Sequence, residues 1–138
     1  MQIIKRTLLV LTLMATPCLA QEKQDHPIDQ ALERCIDKDG STAGQVNCID
    51  KAYGSWDKEL NRVYNELMGM LDGPGKQALK TAQLEWIKYR DLEFKLTDSV
   101  YDKLQGTMFI PMRADHRMQI IRKRAIELQD YLDLLKDN

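Results

Sequence analysis

Asp72-Gly73-Pro74-Gly75 is the strongest break in the sequence, and it separates two long stretches that both repeat at helical spacing. Before it, Cys48, Ala52, Trp56, Leu60, Val63, Leu67 and Met70 or Leu71 recur at steps of three and four, from about Ala43 to Leu71. After it, Leu79, Ala82, Trp86, Tyr89, Leu96 and Val100, with Glu93 in the series, fall on one face of a helix reaching about Leu104. So short a connection leaves the two helices one arrangement, an antiparallel hairpin. At helical rise each rod is on the order of 40 Å long.

The remaining periodic segments complete an all-α reading. Ile28 to Lys38 carries Ile28, Ala31, Leu32, Cys35 and Ile36 on one side and stops at Asp39-Gly40, where glycine permits a left-handed helix stop. Ser41 or Thr42 caps the next helix, and Thr42 with Gln45 fits a capping box. Gln105-Gly106-Thr107 interrupts the third helix. From Pro111 a fourth keeps the period through Ala114, Met118, Ile121, Ala125, Leu128, Leu132 and Leu135. The expected fold is an elongated antiparallel bundle of two long helices, a C-terminal helix and a short N-terminal helix, in one domain from residue 28 to 138.

Residues 1–20 read as a signal peptide. Lys5 and Arg6 precede the apolar run Leu8 to Ala15, and Cys18-Leu19-Ala20 offers small residues for cleavage after Ala20. Pro17 makes a poor lipoprotein box, so Cys18 is not expected to carry lipid. Residues 21–27 are polar and aperiodic, a mobile arm. Losing Lys5 and Arg6 takes the basic residues from 20 to 18 against 21 acidic ones, a net of −3. A mildly acidic, exported chain is a poor nucleic-acid binder but suits a basic partner. Cys35 and Cys48 then remain, and in an oxidising periplasmic or secreted setting two cysteines suggest one disulfide, tethering the first helix to the second. A metal pair would need neighbouring ligands, and the histidines are only His26 and His116.

Polar residues flank the tryptophans. Gln83 and Arg90 bracket Trp86, followed by Asp91, and Asp57 and Asn61 flank the Trp56 and Leu60 face. Packed as a hairpin, these would form an interhelical Asp57–Arg90 pair completed by Gln83 and Asn61, either as register-setting structure or as a recognition surface. Arg113, Arg117, Arg122, Lys123 and Arg124 crowd the last helix, a solvated flank or a contact for an anionic partner. Met108, Met112 and Met118 lie nearby, as core filling or an adaptable apolar patch. No nucleophile triad, metal spacing or phosphate loop is present, and the acids scatter as solvated charges do. Enzymatic activity and bound cofactors are therefore not expected.

The motifs WDKELNRVYNELMGML and ALKTAQLEWIKYRDLEF, followed by Gln105-Gly106-Thr107-Met108 and RKRAIELQDYL, resemble the LprI-like family of small exported helical proteins. Asp57, Leu60 and Asn61 match its D-x-x-L-N helix; Ala82, Gln83, Trp86, Arg90 and Asp91 match its A-Q-x-x-W-x-x-x-R-D segment; Cys35 and Cys48 match its first two cysteines. Two further cysteines common in the family are replaced here by Phe94 and, roughly, His116. The resemblance implies an envelope protein that occludes a lysozyme-type peptidoglycan hydrolase, with a general helical module for another protein partner as the alternative. An inhibitor should present a loop or helix end to the cleft. Gly73-Pro74-Gly75 and the Gln105 to Met112 segment, near Arg113 and Arg117, are the expected contacts.

Overall fold

The computed structural model describes residues 26–137. The expected cleavage after Ala20, Cys18 and most of the N-terminal arm lie outside the described residues. Four helices follow one another: α1 (Pro27–Lys38), α2 (Thr42–Met70), α3 (Gly73–Tyr101) and α4 (Phe109–Lys136). Among the described residues there is no strand, and no helix is long and apolar enough to cross a membrane.

The helix ends follow from local chemistry. Ser41 caps α2, its hydroxyl accepting from the Gly44 amide at 3.0 Å, while Gln45 reaches back to the Gly40 carbonyl at 2.7 Å. Asp72 caps α3 by accepting from the Gly75 amide at 2.8 Å. Two details differ from expectation. Gly40 is not left-handed; Asp39 ends α1 and its carboxylate turns the chain by accepting from Ser41 N–H at 3.1 Å. Of the residues assigned to the arm, His26 caps α1, its Nδ1 accepting from the Ile28 amide at 3.2 Å, and Pro27 opens the helix.

Lateral pairing is the main correction. The core lies between α2 and α4, where Ile49, Ala52, Trp56, Leu60, Val63 and Leu67 interdigitate with Met118, Ile121, Ala125, Leu128 and Leu132. α3 follows α2 directly, yet of its residues only Leu79 and Thr97 are buried, and its principal partner is α4. Nor is its inward face the expected one. Tyr89, Leu96 and Val100 are each half exposed or more, as is Leu92. The inward stripe runs instead through Leu79, Gln83, Trp86, Arg90, Phe94 and Thr97.

The physical reason lies on α4. Arg117 stands 5.4 Å from the Phe94 ring and Arg124 5.9 Å from the Trp86 ring. Guanidinium–ring contacts of about 0.5–2 kcal/mol each, joined by ion pairs, hold α3 where apolar area does not. α1 is held differently. It buries no residue and is fixed by the Cys35–Cys48 disulfide, with Cα atoms 5.7 Å apart, and by Asp29, which accepts from Arg122 at 2.7 Å.

Candidate partner-binding surface

The polar cluster expected between α2 and α3 divides between two helices. Asp57 and Arg90 do not pair. Arg90 Nε and Nη2 donate to Asp91, its own neighbour, at 2.9 and 2.7 Å, and its guanidinium stands 5.6 Å from the Trp86 centroid. Asn61 Nδ2 turns back to the Asp57 carbonyl at 2.8 Å, the adjacent turn of α2. Gln83 faces α4, where its Oε1 accepts from Arg124 Nε at 3.0 Å. The cause is the α2–α4 pairing. With α4 filling the groove beside Trp56 and Leu60, the inward groups of α3 meet arginines rather than the acids of α2.

Arg124 was legible only as part of a charge run. In the fold it is the pivot of the α3–α4 seam: 9% exposed, stacked near Trp86, bound to Gln83 and donating to Glu127 at 2.6 Å. The second tryptophan has an equivalent. Trp56, 1% exposed, has the His26 ring at 4.4 Å and the Arg122 guanidinium at 5.4 Å. No spacing rule on one helix could have found these partners, because each comes from another helix.

Arg113 and Arg117 of α4 are engaged as well. Arg113 donates to Asp98 and to Asp102, both at 2.9 Å, and Arg117 also binds Asp98. These two arginines therefore clamp the C-terminal end of α3 to the N-terminal end of α4. The methionines divide: Met118 is wholly buried in the core, whereas Met108 and Met112 are exposed. At the opposite end Gly73 and Pro74 are exposed in the α2–α3 turn, while Gly75 lies against Leu71. A Cβ added at Gly75 would meet Leu71 side-chain atoms at 3.2 Å, so the turn is close-packed within itself.

Titration follows the same ion pairs. Arg62 holds the Glu59 carboxyl below its ordinary value, and Lys136 with Arg62 does the same for Glu66. Burial pushes the Tyr53 hydroxyl up. Among the described residues no group of histidine, cysteine and carboxylate side chains could hold a metal ion. What the surface offers is exposed apolar and basic side chains at helix ends, on a frame of interhelical ion pairs.

A family model described as lysozyme inhibitor LprI matches residues 35–128. An uncharacterized protein of Rhizobium meliloti (strain 1021) is 27% identical over 99 residues, covering 62% of this chain and 70% of that protein. A crystal structure of an uncharacterized protein from Burkholderia thailandensis matches with a TM-score of 0.76 and 32% identity. The match covers 82% of this chain and 57% of the other, so the chain spans little more than half the length of that protein.

Proposed function

Since the chain belongs to the lysozyme inhibitor LprI family, we propose that it is an exported envelope protein that binds a lysozyme-type peptidoglycan hydrolase and inhibits it by occlusion. The observation that carries this reading is the family match, which runs from the disulfide through most of α4. Several of the acids are held in ion pairs. Asp29, Glu59, Glu66, Asp91, Asp98 and Asp102 are all committed to arginine or lysine partners. Processing after Ala20 would leave a net charge of −3, which steers the protein favourably toward a basic enzyme.

The test is clearing of a bacterial cell-wall suspension by lysozyme, with and without excess purified protein. Clearing should slow in proportion to the protein added, and undiminished clearing at saturating protein would falsify the reading. A second reading draws on one specific observation. Tyr89, Leu92, Leu96 and Val100 form an open apolar stripe along α3, and exposed apolar surface of that extent often serves a protein contact. On this reading the chain is an envelope module for a different protein partner. Retained lysozyme inhibition by Leu92→Asp would separate that stripe from the inhibitory surface.

A further inference from the structure

The three connections between helices are unequal. Those before α2 and α3 are short and capped at once by Ser41 and Asp72. The connection from Asp102 to Met108 is the longest of the three, and all of its residues are exposed. It holds Gly106 at φ +114°, the sole residue with positive φ among those described, a conformation that favours glycine. Exposed apolar side chains gather at this end: Met108 is 63% exposed, and Leu104, Ile110 and Met112 are exposed as well.

This exposed segment is nonetheless held in shape. Lys103 and Leu104 amides donate to the carbonyls of Val100 and Tyr101, and those of Phe109 and Ile110 to Gly106 and Thr107. At its base, Asp98 and Asp102 are gripped by Arg113 and Arg117, and Pro111 is buried. A loop fixed before binding loses little entropy on binding, and this raises affinity. Methionine side chains add an apolar surface that adapts to its partner. Beside the loop, a groove of about 590 Å³ continues the apolar surface through Tyr101, Met112, Leu32 and Ile36.

The charge of the loop narrows the partner. Arg113 and Arg117 are neutralised by Asp98 and Asp102, whereas Lys103 is exposed with no acidic partner among the described residues. Glycoside hydrolases place two carboxyl groups on either side of the bond they cut. Resting on the inhibitory reading above, we propose that the Asp102–Met108 loop seats in that cleft. Its Lys103 ammonium faces the paired carboxylates, Leu104 and Met108 lie against the apolar walls, and the neighbouring groove receives the cleft's rim.

Lys103→Glu and Met108→Asp test the assignment in the wall-clearing assay, with Tyr131→Asp near the far end of α4 as the control. Each loop variant should need about tenfold more protein or greater for half-inhibition. Helicity and melting should be unchanged, because both side chains are exposed. Tyr131→Asp should inhibit as the parent does. Parental inhibition by both loop variants overturns the assignment and leaves the inhibitory reading standing, as does equal loss in the Tyr131→Asp control. If the parent itself does not inhibit, both fall together.

Discussion

Two arginines show how differently one residue type serves this fold. Arg90 carries the family motif, yet its only hydrogen-bonded partner among the described residues is Asp91, which is half exposed, and water competes for that pair. Arg124 lies outside the A-Q-x-x-W-x-x-x-R-D segment, is buried, and joins Gln83 of α3 to α4 through its Nε. Removing it leaves a half-buried amide oxygen without its donor and the Trp86 ring without one of its two cations. Arg124→Met should therefore cost about 2 kcal/mol. Arg90→Met should cost about 0.5–1 kcal/mol, as expected for an exposed pair with a ring contact. Urea unfolding midpoints of the two variants measure the difference. Equal losses would mean that the α3–α4 seam does not depend on the Gln83–Arg124 bond.

At the scale of helices, α1 has no buried residue and depends on its tethers. Replacing both Cys35 and Cys48 by serine removes a cross-link over a sequence separation of 13, a loss of about 3 kcal/mol in the chain-entropy model. Asp29–Arg122 and the His26–Trp56 contact remain. The loss should therefore appear first in α1, as amide exchange there outpacing exchange in α2 and α4. Uniform acceleration across all helices would show α1 to be fully cooperative with the core. Asp98→Asn should act on the α3–α4 connection by weakening the hold of Arg117 and leaving Arg113 with Asp102 alone, with faster exchange from Leu104 to Ile110 and a loss of about 1–3 kcal/mol.

The same scale shows what the sequence made legible. Helix number, approximate ends and the sulfur pairing followed from period, caps and compartment. The choice of neighbours did not. Loop length at Asp72-Gly73 fixed direction but not lateral position, and two later helices offered α2 an apolar face. Met118, Ile121, Ala125, Leu128 and Leu132 make a continuous buried stripe, whereas the stripe on α3 is broken by Glu93. Burial at about 25 cal/mol per Å² favours the unbroken one. The ion pairs that then place α3 join residues far apart in the chain, beyond the reach of any periodicity.

Across the whole molecule, charge sets the pH range in which the bundle is stable. Glu59 and Glu66 on α2 form a chain with Arg62, which also reaches Gln129 of α4 at 2.9 Å, and Glu66 meets Lys136 at 3.0 Å. The hydrogen bond from Arg62 holds Glu59 below its ordinary 4.5. A carboxyl whose folded value is lowered adds stability above its unfolded value, and that stability is lost as pH falls through the folded value. At the alkaline side burial raises Tyr53 above its ordinary 10.0. The fold thus favours the neutral phenol, its contribution is complete below that value, and it drains away as pH climbs through the raised one. The melting temperature should be nearly level from about pH 6 to 9, then fall on both sides. Glu59→Gln should flatten the acid limb and leave the alkaline limb alone, since Arg62 keeps Glu66 and Gln129. Tyr53→Phe should do the reverse, because phenylalanine has no proton to lose. If Tyr53→Phe left the alkaline limb as steep as the parent's, the lysines would be setting it, and the Tyr53–Phe94 contact between α2 and α3, with ring centroids 6.5 Å apart, would not be where high pH opens the bundle.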